Sequence, residues 1–170
     1  MELHRLSRSF DLSQFDCGDN DLNQFLIQDA LKFAEKMIAS TFVLEHEGAI
    51  VAYFSLLNDR ISKQELTNSQ WKKIKREFPT GKHFSSYPAI KIGRFAVSKD
   101  FRGKRIGSFL LSEIKELLLN GSNYSAFRFL TVDAYLSAID FYAKNDFIIL
   151  SEKNVSEHTR LMYYDMMQMI

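Results

Sequence analysis

Apolar positions along this chain recur with two different periods, and each change of period marks an element. The order of elements opens with a strand ahead of the first helix. Across "FDCGDNDLNQFLIQDALKFAEKM", Leu22, Phe25, Leu26, Ala30, Phe33, Ala34 and Met37 follow helical spacing, and Asp19 or Asn20 can cap the start. "STFVLEHEGAIVAYFSLLND" predicts two strands joined by a tight turn at residues 46–48. "KQELTNSQWKKIKREF" is polar, helix-compatible and more weakly periodic, and "AIKIGRFAV" is a β-branched, apolar strand. From Ile106, the residues Phe109, Leu110, Ile114, Leu117 and Leu118 form a second helical stripe that ends near Asn120 and Gly121. "FRFLTVDA" is a strand, "YLSAIDFYAKNDF" a short helix, "FIIL" a strand, and the tail "TRLMYYDMMQMI" a final strand.

This order predicts an α/β (α+β) fold, a mixed sheet with helices packed on it. The strand–helix–strand from Ala89 to Val132 predicts a right-handed parallel crossover. With no repeat, low-complexity tract or linker, residues 1–170 read as a single domain. A hydrophobic content of 46% with fifteen Phe excludes a disordered chain. A net charge of +1 leaves no global field toward nucleic acid or membrane, so any basic surface must be local. The single Cys17 excludes an intrachain disulfide framework. "MELHRLSRSF" lacks an apolar signal core, and no apolar run approaches the ~18 residues of a membrane span. A soluble cytoplasmic protein is expected.

Where the strand "AIKIGRFAV" gives way to the strong helix, "SKDFRGKRIGS" places Arg102, Lys104 and Arg105 around Gly103 and Gly107. A helix start carries unpaired N–H groups and partial positive charge, so it can hold an anion such as a phosphate. Gly107 and Ser108 fall in the first turn, and the three cations add strong donors. The stretch is neither a P-loop nor a dinucleotide fingerprint. On composition alone it is either an anion site or an ordinary turn with solvated charges.

"FAVSKDFRGKRIGSFLLSEI" resembles the pantetheine- and pyrophosphate-binding motif of the GNAT superfamily of acyl-CoA-dependent N-acyltransferases, Arg/Gln-x-x-Gly-x-Gly/Ala. Arg102 and Gly107 match its ends, and Arg105 stands at the inner glycine. "VDAYLSAIDFYAKNDF" resembles the family's Ala-x-x-Phe-Tyr-x-x-x-Gly-Phe segment through Ala138, Phe141, Tyr142 and Phe147, with Asp146 in place of the glycine. "FDCGDNDLNQFLIQDALKF", "IVAYFSL" and "YPAIKIGRFAV" are similar to a subgroup that includes toxins acetylating aminoacyl-tRNA.

The resemblance implies a mostly antiparallel sheet with a central splayed parallel pair, strands 90–97 and 127–133, holding acetyl-CoA and no metal. Backbone groups of Phe95, Ala96 and Val97 would meet the pantetheine. Gly103, Lys104, Arg105, Ile106, Gly107 and Ser108, with Arg102, would meet the pyrophosphate. An amine then attacks the thioester directly, a backbone N–H near Phe95 meets the oxyanion, and Tyr142 protonates the leaving thiolate. Without the resemblance, Tyr142 beside Phe141 reads as packing. No general base stands out among Glu45, Glu47, Asp59, His83 and Asp133. Arg94 either holds an anionic substrate group or simply faces outward. The acceptor is a primary amine, with aminoacyl-tRNA in a toxin–antitoxin pair as one alternative and a non-catalytic acyl-CoA- or protein-binding module as another. Segments 24–37 and 60–87 would shape the acceptor cleft. Lys72, Lys73, Lys75 and Arg76 beside Trp71 and Phe78 suit either an RNA surface or a solvated face. His4, His46, His83 and His158 lack metal-ligand spacing, and Cys17 reads as buried. Met166, Met167 and Met169 read as core or interface, and an apolar edge strand there would suggest a homodimer.

Overall fold

A computed structural model describes residues 1–76, 78, 84–121, 125–150 and 158–170. Seven strands form one sheet: β1 (Glu2–Arg5), β2 (Ser40–His46), β3 (Ala49–Ser62), β4 (Ser86–Val97), β5 (Phe129–Tyr135), β6 (Ile148–Ile149) and β7 (Thr159–Asp165). Their order is β1-β2-β3-β4-β5-β7-β6; neighbours are mostly antiparallel, and β4–β5 is the parallel pair. The helices are α1 (Asn20–Gln24), α2 (Ala30–Glu35), α3 (Asn68–Lys75), α4 (Ile106–Gly121) and α5 (Ile139–Ala143). Parallel neighbours need a long connection, and α4 supplies it between β4 and β5.

The chain divides into two compact units, Met1–Leu57 with Ile92–Gly121, and Asn58–Lys91 with Ser122–Ile170. In the first, β1 pairs with β2 and β2 with β3, both antiparallel, with a bulge between Leu44 and Glu45. Phe15, Phe25, Leu26, Val43, Tyr53 and Ala96 share its core. Gly93 sits where β3 comes close: a Cβ there would lie 2.6 Å from Leu57 Cδ2 and 3.3 Å from Ser55 Oγ.

The first helical segment follows the predicted spacing only for its first turns. The Asp19 side chain caps it by accepting from the Leu22 amide. Residues Phe25–Asp29 then form a π turn, closed by the Ala30 amide on the Phe25 carbonyl. A π turn holds more residues than an α turn, so the apolar stripe rotates. Phe25, Leu26 and Ala30 are buried, whereas Phe33 is partly exposed and Met37 lies in solvent. Met37 (φ +56°) ends the segment, with Ile38 N–H donating to the Phe33 carbonyl and Met37 N–H to that of Ala34. In α4 the buried apolar residues are Ile106, Leu110, Leu111 and Ile114, with Lys115 buried beside them, so the stripe is centred away from the expected Phe109, which is exposed.

In the second unit, β7 pairs antiparallel with β5 and with β6. Ile61, Trp71, Ile74, Tyr87, Phe129 and Tyr163 are core. The polar stretch expected as one helix is a 3-10 turn, Lys63–Glu65, followed by α3, each started by a capping box, at Ser62 and at Thr67. The expected final strand stops at Asp165 and gives way to a 3-10 turn, Met166–Met169, because Asp165 accepts from the Met167 amide. The sheet edge here is β6, not the tail strand. Met166 is buried and Met167 exposed.

Arg128 forks onto Asp165, Nε–Oδ1 and Nη2–Oδ2 both 2.9 Å, with each side chain only 18% exposed. Removing one partner of so desolvated a pair strands the other charge. Asp165→Asn is expected to lower the stability by about 3 kcal/mol in urea titration. The double variant with Arg128→Met should cost less than the sum of the two singles.

Candidate active site

Both halves of the predicted loop lie in the first unit. β4 ends at Val97; the buried Ser98 donates its amide to the Val51 carbonyl, 2.8 Å, and a 3-10 turn, Lys99–Phe101, follows. Gly103 then takes φ +75° and Arg105 φ +59°, both left-handed. The Arg105 carbonyl accepts the first helical bond, from the Phe109 amide at 3.1 Å, so Arg105 is the N-cap of α4. A good N-cap uses a side-chain oxygen to satisfy the first amides. Arginine has only donors. The first turn of α4 also carries no acid. Arg102, Gly103, Lys104 and Arg105 are exposed, Gly107 and Ser108 half-buried, and Ile106 anchors the helix in the core. The result is a cationic helix start whose cap offers its amides nothing, the arrangement an anion completes.

A strap from the N-terminal segment fixes this loop from below. Asp16 accepts from Lys99 Nζ (2.6 Å), from the Gly18 amide (2.8 Å) and from Asn23 Nδ2 (2.9 Å), and its carbonyl accepts from the Lys99 amide (2.9 Å). Lys99 first, then the two neutral donors, hold the Asp16 carboxyl well below the usual carboxylate range. Arg102 Nη2 donates to the Cys17 carbonyl. One guanidinium nitrogen of Arg102 is therefore committed to the strap, while the residue as a whole is exposed. Lys104 Nζ lies 4.9 Å from the Phe101 ring centroid. Cys17 is buried, and burial pushes its thiol up, which suits packing rather than nucleophilic work.

On β4, Arg94, Phe95 and Val97 are half-buried and Ala96 is buried. Arg94 lies against Phe25, 5.1 Å from its ring centroid. No sequence signal announces the π turn that brings Phe25 there.

In the second unit, α5 buries Tyr142 between Phe141 (5.1 Å between centroids) and Phe147 (5.4 Å). Burial pushes the Tyr142 phenol up, so it keeps its proton throughout the neutral range. Asp146 takes φ +69°, and the Phe147 amide turns back to the Tyr142 carbonyl, 3.0 Å. The two positions where the family motifs have glycine, Arg105 and Asp146, are thus both left-handed.

Of the candidate bases, Asp59 accepts from the Thr131 hydroxyl, Asp133 pairs with Lys91 at 2.6 Å, Glu45 lies 4.0 Å from His4, and Glu47 is in the β2–β3 turn; His83 lies outside the described residues. Trp71 is buried and stacks on Tyr87 at 5.3 Å, and Phe78 stacks on the same ring at 3.7 Å. Trp71 and Tyr87 belong to the core, and the half-buried Phe78 packs against it. Among the described residues there is no His/Cys/Asp/Glu cluster fit for a metal, and no helix long and apolar enough to cross a membrane.

The profile of the acetyltransferase (GNAT) domain matches residues 38–149. The tRNA-acetylating toxin of Mycobacterium tuberculosis (strain ATCC 25618 / H37Rv) is 24% identical over 146 residues, 85% of this chain and 82% of the toxin. AtaT complexed with acetyl-methionyl-tRNAfMet superposes with a TM-score of 0.82 at 21% identity, covering 99% of this chain and 96% of that one. A tyrosine-to-phenylalanine mutant of the AtaT toxin, bound to the C-terminus of the antitoxin AtaR and acetyl-CoA, gives 0.73 at 20% identity, covering 98% and 94%.

A left-handed non-glycine residue costs about 1–2 kcal/mol, and glycine returns part of that through its freer unfolded chain. Arg105→Gly is therefore expected to raise thermal stability by about 0.5–1 kcal/mol. Asp146→Gly should raise it less, since Asp tolerates this region. Calorimetric melting of both variants checks the ranking.

Proposed function

Because the chain belongs to the acetyltransferase (GNAT) family, we propose that it moves the acetyl group of acetyl-CoA onto the α-amine of aminoacyl-tRNA, and that an antitoxin protein restrains it. The observation that carries the donor half is the helix start at Ile106: three exposed cations, no acid in the first turn, and an arginine cap with no acceptor. A pyrophosphate supplies the oxygens this site lacks. The relatives that acetylate or bind tRNA support the acceptor half.

On this reading the amides of Gly103, Lys104, Arg105, Ile106, Gly107 and Ser108 hold the pyrophosphate, assisted by Arg102. Backbone groups of Phe95 and Val97, flanking Ala96, hold the pantetheine as an added strand would be held. A backbone N–H near Phe95 donates to the oxyanion that forms when the neutral amine attacks the thioester carbon. As that intermediate collapses, the C–S bond breaks and Tyr142 donates to the departing sulfur, while the proton that the amine must lose returns to the phenol.

Labelled acetyl-CoA incubated with charged tRNA, deacylated tRNA and free amino acids separates the acceptors. Label should enter charged tRNA alone; faster labelling of the free amino acids would refute the acceptor assignment. Tyr142→Phe is expected to lower kcat by about 10²-fold or more, in the range of a lost proton donor, while calorimetric affinity for acetyl-CoA stays within about twofold. Unchanged turnover would remove Tyr142 from the chemistry.

A further inference from the structure

Arg94 is a charge inside an apolar strand, and its surroundings use little of it. Strand alternation puts it on the same face of β4 as Ala96, which lies in the first unit's core. Of its five N–H groups, one donates to the neighbouring Gly93 carbonyl, Nη1–O 2.9 Å. Asp21 Oδ2 stands 3.8 Å from Nη2, an ion pair beyond hydrogen-bond reach, and the Asp21 side chain is 70% exposed. The Nε is buried and has no hydrogen-bond partner among the described residues. Such an orphaned donor on a cation is costly, and natural structures keep few of them without a reason. The side chain as a whole is still 40% exposed, so a ligand can reach its terminal nitrogens.

The neighbours fix its pose without satisfying it. Phe25 presents its ring 5.1 Å from the guanidinium carbon. A ring face holds a cation but accepts no directed N–H···O bond comparable to that of an oxygen anion. Phe25 opens the π turn, a feature that concentrates at functional sites. It also lies in the 24–37 segment where the acceptor cleft is expected. Arg94 precedes Phe95, the residue whose backbone is placed at the reacting carbonyl. With Nε buried, the edge open to a ligand is the end-on one, where Nη1 and Nη2 each keep an N–H to offer two oxygens of one anion.

We propose that Arg94 determines acceptor specificity by binding a phosphate of the acceptor through its terminal nitrogens Nη1 and Nη2, with Asp21 as the weak internal counter-ion that the phosphate displaces. The inference rests on the aminoacyl-tRNA reading, in which the nearest phosphodiesters lie about one nucleotide from the attacking amine. Phe25 is a positioning residue that holds the guanidinium edge toward the incoming group.

The test uses the whole chain and two acceptors with the same aminoacyl group, one on tRNA and one on adenosine, which carries no phosphate. Arg94→Met should raise KM for aminoacyl-tRNA about tenfold or more, leave KM for acetyl-CoA within twofold, and leave KM for aminoacyl-adenosine unchanged. Arg94→Lys should recover part of the loss. Asp21→Asn should lower KM for aminoacyl-tRNA about two- to threefold, a direction that damaged packing does not produce. An equal effect of Arg94→Met on both acceptors, no effect on either, or a raised KM in Asp21→Asn would overturn the proposal. Fluorescence anisotropy with a labelled CCA trinucleotide judges Arg94 even if no tRNA is acetylated. The wild type should bind it at least fivefold more tightly than Arg94→Met, and equal binding sinks the phosphate role whatever the true acceptor is.

Discussion

Two left-handed residues, Gly103 and Arg105, decide where α4 begins, and the chemistry proposed for the first unit depends on that choice. The chain leaves β4 and must reverse within a few residues to enter a long helix. Gly103 makes the first left-handed step; a Cβ there would meet nothing within 4 Å, so the glycine serves the backbone angle and not the space. Arg105 makes the second step with a side chain that disfavours it. Placing the cap at Arg105 leaves the amides of Ile106, Gly107 and Ser108 without a side-chain acceptor from the capping residue. It also adds a cation where the helix dipole is already positive. Local backbone strain and local charge both run against the isolated fold, and a bound polyanion relieves the electrostatic part.

The strap at residues 16–18 makes this unfavourable arrangement persist. Asp16 collects three donors, and Lys99 joins it by both side chain and backbone. Arg102 reaches the Cys17 carbonyl just beyond. The strap thereby brings one carboxylate to the base of the loop while the outer face stays cationic. Its ion pair is exposed and contributes little energy by itself. Its value is geometric, since it ties a segment from the start of the chain to a turn eighty residues later.

How much of this was legible depended on whether a local rule or a distant contact decided each element. β4 and α4 could be read because strand composition, helical spacing and glycine punctuation agree there. The α1–α2 segment was read with the right start and the right face through Ala30, and lost its phase from Phe33 onward, because a π turn changes the number of residues per turn without changing residue type. The single helix expected from residue 63 became a 3-10 turn and α3, each with its own capping box, since Ser62 and Thr67 each offer a hydroxyl three residues before an acceptor side chain. Phe25 under Arg94, and Cys17 beneath Arg102, join residues far apart in sequence and leave no periodic trace. Arg105 and Asp146 were legible only as departures from a motif; the structure gives the departures a meaning, because both positions keep the backbone angle that glycine would adopt.

The burial of Tyr142 limits how it can act as the proposed acid. Burial raises the phenol above its ordinary value near 10, whereas a free thiol sits near 8.5. Complete proton transfer from Tyr142 to the thiolate would therefore run uphill by more than about 2 kcal/mol. The phenol is better matched to donating a strong hydrogen bond as charge gathers on sulfur, where a dry site makes that bond worth more than it is in water. In the proposed reaction the proton that finally reaches the sulfur then comes from the attacking amine, which must lose one for the amide to form. The phenol can relay it, giving one proton and taking another without a lasting phenolate. Such a relay accounts for a site in which Asp59 and Asp133 are already engaged by Thr131 and Lys91. The amine supplies the proton that the thiolate needs, so no strong side-chain base is required to begin the reaction.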